Sequence, residues 1–77
     1  MGKETVNITV HIDEALDHAR LEMVSERVRK GRGIVSAEFH DTKPHFLLVR
    51  YDPSVIDSIA VHRLVTEQGV HAELIGI

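Results

Sequence analysis

Val6, Ile8, Val10 and Ile12 alternate with Asn7, Thr9 and His11, and this period-two run is the first of several along the chain. Alternation of that kind marks a strand with one buried face. "GIVSAEFH" repeats it, with Ala37 and Phe39 on one side and Glu38 and His40 on the other. "HFLLVRYDP" turns Leu47, Val49 and Tyr51 inward and Phe46, Leu48 and Arg50 outward. "VHAELIGI" turns Ala72 and Leu74 inward and His71, Glu73 and Ile75 outward. Asp41 and Pro44 in "DTKP" supply the turn between the middle two runs.

Helical periodicity fills the two remaining intervals. Leu21, Val24 and Val28 form one stripe of the first helix, and Leu16, Ala19 and Met23 a second stripe nearly opposite. Asp13 is the expected N-cap, with Glu14 and Asp17 in the first turns, and the helix is expected to run to about Lys30 before "GRG". The second helix is capped by Asp57 or Ser54, buries Val61, Leu64 and Val65, and stops at Gly69.

Strand, helix, strand, strand, helix, strand with right-handed crossovers predicts an α+β ferredoxin-like βαββαβ sandwich. Its four-stranded antiparallel sheet has the order 4-1-3-2, with two helices on one face. A chain of 77 residues makes one such domain, residues 1–77, and buries only roughly 60% of the surface it exposes when unfolded. Apolar residues at 43% against 27% charged place it among globular chains. No apolar run reaches the length of a membrane span and "MGKET" is no signal peptide, so a cytoplasmic address is expected.

A net charge of −3 gives no electrostatic reason to bind nucleic acid. The basic run "RVRKGR", Arg27–Arg32, falls where cations favour a helix C-terminus, the alternative being a phosphate-binding patch. The chain has no cysteine, which excludes disulfides, thiolate ligands and thiol nucleophiles. No Ser-His-Asp or lysine arrangement is readable, so an enzyme is not expected.

Histidine is the compositional oddity, with six residues. The expected topology brings the end of the first strand beside the start of the fourth, and so His11 beside His71 at one pole. His40, His45 and the acidic "DEALD" junction share that pole, whereas His18 and His62 fall on helices away from any obvious partner. Two interpretations stand. Asp13, Glu14 and Asp17 cap a helix while the histidines are merely solvated, or His11, Asp13, Glu14, Asp17 and His71 form a metal site. Imidazole and carboxylate without sulfur suit divalent Zn, Ni, Co or Cu(II), and disfavour Cu(I), for which Met1 and Met23 make no pair.

The whole chain resembles the heavy-metal-associated (HMA) domain of copper chaperones and transport ATPases. The matching residues are "ITVHID", "GIVSAEF", "LVRYDP" before the second helix, and "EQGVHAEL". That family carries a Met-x-Cys-x-x-Cys loop after its first strand. Laid on this chain, its Met falls on Ile12 and its cysteines on Glu14 and Asp17, and the Tyr of its closing motif falls on Val70. The resemblance therefore implies the scaffold and the position of its working end, without Cu(I) chemistry. The expected function is a non-enzymatic metal-binding module with His and carboxylate ligands. The alternative is a metal-free module that binds a protein partner or forms a homodimer through Leu16, Ala19 and Met23 and the outward Phe46, Leu48 and Ile75.

Overall fold

The computed structural model describes residues 4–40 and 42–76. Met1 and the turn residue Asp41 therefore lie outside the described residues. The elements are β1 (Val6–Ile12), α1 (His18–Arg29), β2 (Ile34–Phe39), β3 (Phe46–Tyr51), α2 (Ser58–Thr66) and β4 (Ala72–Gly76). The sheet order is β2-β3-β1-β4, and every pairing is antiparallel. This is the expected 4-1-3-2 order counted from the other edge.

β1 lies at the centre because both of its ladders are filled. Val6 pairs with Tyr51 and His11 with Phe46 on the β3 side, and Val10 pairs with Leu74 on the β4 side. The alternation places Ile8, Val10 and Ile12 in the core with Ala37, Leu47, Val49 and Tyr51. Val24 and Val28 of α1 and Val61 and Val65 of α2 close over them and are fully buried. Small β-branched side chains thus do most of the packing, as a chain with few aromatics requires.

α1 begins later than expected. Asp13 is not its N-cap: the Asp13 N–H bonds the His71 carbonyl at 2.9 Å, which prolongs the β1–β4 ladder by one residue. The cap is Asp17, whose Oδ1 accepts the Arg20 N–H at 2.8 Å. Leu16 consequently lies off the helix and packs on the core, while Ala19 and Met23 remain exposed. The continuous second stripe of α1 does not form. Asp57, rather than Ser54, caps α2 through the Ala60 N–H at 2.8 Å. No helix among the described residues is long and apolar enough to cross a membrane.

Among the described residues two glycines carry positive φ, both at +88°. Gly69 follows α2, and a Cβ there would meet nothing within 4 Å. At Gly33 a Cβ would stand 2.8 Å from Ile56 Cγ2 and 2.9 Å from Val55 Cγ1. Gly69→Ala should therefore cost only the left-handed backbone, about 1–2 kcal/mol. Gly33→Ala adds a packing clash of about 1–3 kcal/mol. Urea denaturation checks the order, and equal losses at the two positions would contradict it.

Candidate metal centre

The rim at the end of β1 is built by backbone bonds that outrun the strands. The Ile12 N–H bonds the His45 carbonyl at 2.8 Å on one side, and Asp13 bonds His71 on the other. Histidines from the starts of β3 and β4 are thereby fixed on either side of the β1 terminus. His11 points to the open face of the sheet, opposite Phe46 on β3 and Glu73 on β4.

Glu14 makes the tightest contact at the rim. Its carboxylate accepts the His71 backbone N–H at 2.9 Å through Oε1 and 3.2 Å through Oε2. Oε2 also lies 2.6 Å from His71 Nδ1. A carboxylate only accepts, so Nδ1 carries the proton and donates. This clasp ties the β1–α1 loop to the start of β4 across a sequence separation of 57. His11 Nδ1 stands 3.1 Å from Asp13 Oδ1, a second and looser imidazole–carboxylate pair. His45 Nδ1 donates to the Ile12 carbonyl at 2.7 Å.

The five residues singled out from the sequence therefore have defined places. Glu14 holds His71, Asp13 holds His11, and Asp17 gives one oxygen to the α1 cap. These are separate contacts. Among the described residues no group of three or more His, Asp and Glu stands together so as to hold a metal ion. The sequence has no cysteine to supply a thiolate, and Met23 lies exposed on α1.

His45 belongs to the rim but was not among those five. Its position before a strand hid a side chain that turns back on Ile12. His62 needs a correction: it is half-buried and its Nε2 donates to the Ala72 carbonyl at 2.7 Å. A helical wheel would have shown this, since His62 lies within about 60° of buried Val65.

No protein-family model matches the sequence, and no curated protein matches it. Solved structures do resemble it. The N-terminal soluble domains of Bacillus subtilis CopA align with a TM-score of 0.80 at 19% identity, over 92% of this chain and 48% of that one. The chain thus spans about half the length of that structure. A copper binding domain from HMA7, a P-type ATPase, aligns with a TM-score of 0.81 at 17% identity, over 90% of this chain and 92% of that one. Oxidized MerP from Ralstonia metallidurans CH34 aligns with a TM-score of 0.82 at 12% identity, over 94% and 99%. The chain has the fold of these domains. At such identities the likeness is one of fold alone.

The clasp also has an electrostatic signature. The His71 ring hydrogen bond, and then its backbone N–H, hold the Glu14 carboxyl below its ordinary value of 4.5. The Glu14 hydrogen bond, and then its charge, hold the His71 imidazole above 6.5. A depressed carboxyl stabilises above its unfolded value and loses that contribution as pH falls through the folded one. A raised imidazole stabilises fully below its unfolded value and loses that contribution as pH rises through the folded one. Both contributions are complete between roughly pH 4.5 and 6.5. The thermal-midpoint difference between the wild type and Glu14→Gln should peak in that window and shrink on either side. It should shrink in salt too, because the pair is exposed. A difference flat from about pH 4 to 9 would show that Glu14 acts only as a neutral acceptor.

Proposed function

We propose that this chain is a non-enzymatic metal-handling module that takes up a divalent transition ion, Zn, Ni, Co or Cu(II), at the His11–His71 rim. One observation carries the proposal: at both histidines a carboxylate engages Nδ1, leaving Nε2 to carry the lone pair of the neutral ring. That is the arrangement in which metal-bound histidine is commonly held, with a carboxylate fixing the tautomer and raising ring basicity. Asp13 and Glu14 then orient the ligands, and Asp17 adds negative charge at the entrance while capping α1. The copper binding domain from HMA7 and the CopA domains share the scaffold, which supports the same working end.

Exposed ligands on a small rim suit an ion that is collected and released rather than one that holds the fold together. His71 and Glu14 expose 84% and 37% of their side chains. Titration of untagged protein at pH 7.5 should give one ion per chain with Kd below about 100 μM. Imidazole ligates only when neutral, and Glu14 raises the His71 imidazole, so affinity should fall as pH drops, with the loss beginning above 6.5. His11→Ala with His71→Ala should abolish binding. Wild type that takes up none of the four ions below about 100 μM, or a double variant that binds as before, would end the proposal.

The open face of the sheet favours a second role, docking of a protein partner or a second copy. Leu48 and Ile75 are 40% and 55% exposed there, beside half-buried Phe46. If a homodimer forms through that face, Leu48→Glu should shift sedimentation toward the monomer. Wild type that sediments as a monomer up to about 1 mM, well above any useful dimer Kd, would exclude the homodimer form.

A further inference from the structure

The histidines divide by which ring nitrogen the fold uses. His62 donates through Nε2 to the Ala72 carbonyl. His40 turns Nδ1 toward the Thr42 N–H at 3.2 Å and so accepts there. His11, His45 and His71, all at the rim of β1, instead point Nδ1 at an oxygen acceptor. For these three the neutral ring carries its proton on Nδ1 and its lone pair on Nε2.

His45 is held through both its ring and its backbone. Its ring donates to the Ile12 carbonyl at 2.7 Å while its own carbonyl accepts the Ile12 N–H at 2.8 Å. It is half-buried, and its ring stacks on His11 with centroids 5.7 Å apart and planes within 17°. Phe46 meets the His11 ring edge-on at 5.4 Å. His11 is therefore flanked by an imidazole and an aromatic ring, and His45 is the histidine that faces it.

We propose that His45 is a metal ligand, and that an ion taken up at the rim is bound by His11 and His45 together through their Nε2 atoms. The inference rests on the metal-handling proposal above and revises its ligand pair, with His45 before β3 taking the place of His71 beside His11. Two nitrogens that share an ion at about 2.0–2.1 Å must come within about 4 Å of each other. In the stack the ring planes are nearly parallel, so binding requires His11 to turn toward His45 until the two in-plane lone pairs meet on one ion. His11 is the partner that turns, since 35% of its side chain is exposed and its 3.1 Å contact is the longest of the three Nδ1 contacts. Two imidazoles with water in the remaining positions form a donor set for Cu(II), Ni(II) or Zn(II). A two-residue site agrees with the lack of any three-residue cluster among the described residues. The water-filled positions leave the ion open to exchange.

The test uses the full untagged chain with Cu(II) and Zn(II) salts at pH 7.5. Zn(II) should shift the Nε2 resonances of His11 and His45 in 15N NMR, and Cu(II) should show coupling to two imidazole nitrogens in EPR. His45→Gln keeps a side-chain N–H for the Ile12 carbonyl; it should weaken binding at least tenfold and remove one coupled nitrogen while circular dichroism stays unchanged. His45→Gln that binds like the wild type, while His11→Ala does not, would overturn this inference and leave the metal-handling proposal standing. Wild type that binds neither ion would overturn both.

Discussion

Two backbone hydrogen bonds at the end of β1 set the frame of the pole where the histidines gather. Ile12 to His45 and Asp13 to His71 extend both ladders of the central strand beyond its last regular pair. A central strand has no free edge, so its terminus is positioned from both sides at once. The side chains that flank it come from residues 45 and 71, far apart in sequence, yet their backbones are set to within hydrogen-bond tolerance. Asp13 is recruited to that ladder and is unavailable as a helix cap. The helix must then begin later, and the loop from Glu14 to Leu16 spans the gap, with Leu16 anchored on the core and Glu14 clasped to β4.

The same sheet has to deal with its two open edges, β2 and β4. Each carries a register shift: between Ile34 and Ser36 against β3, and between Thr9 and Val10 against β4. The residues left out of register, Val35 and Ile75, are among the exposed large apolar side chains, at 57% and 55%. The bulge accounts for Val35, which would otherwise face inward with Ala37 and Phe39, whereas Ile75 is outward by the alternation itself; both bulges bend the edge strands away from a flat edge. Each edge strand also has a carbonyl taken by a side chain: Arg29 donates to Ala37 at 2.7 Å and His62 to Ala72 at 2.7 Å. Strand-to-strand addition is discouraged at both edges.

Nearly all of the architecture was legible in the chain, because it rests on periodicity. The alternation from Val6 to Ile12 and the spacing of Val24 and Val28, or of Val61 and Val65, specify which faces meet whatever the exact ends of the elements. What escaped depends on competition between partners for one group. Asp13, Asp17, Ser54 and Asp57 are all chemically fit to cap a helix, and only the folded chain shows that the His71 carbonyl takes the Asp13 N–H first. His62 and His45 escaped for the same reason, since each turns to a carbonyl on another element. The pole itself was legible from topology; the division of its side chains into His71–Glu14, His11–Asp13 and His45–Ile12 contacts was not.

Glu14 and Asp17 stand where the HMA pattern has its cysteines, and their contacts show what the exchange of chemistry entails. A thiolate pair leaves loop backbone groups to be satisfied by other means and presents soft donors to the ion. A carboxylate is a stronger hydrogen-bond acceptor, and here it is used as one: Asp17 takes an N–H of the first helical turn, and Glu14 takes the backbone and ring of His71. The loop so built is closed by its own side chains. Under the function proposed above, the carboxylates orient and the imidazoles ligate, and the ion is a borderline divalent one rather than a soft monovalent one.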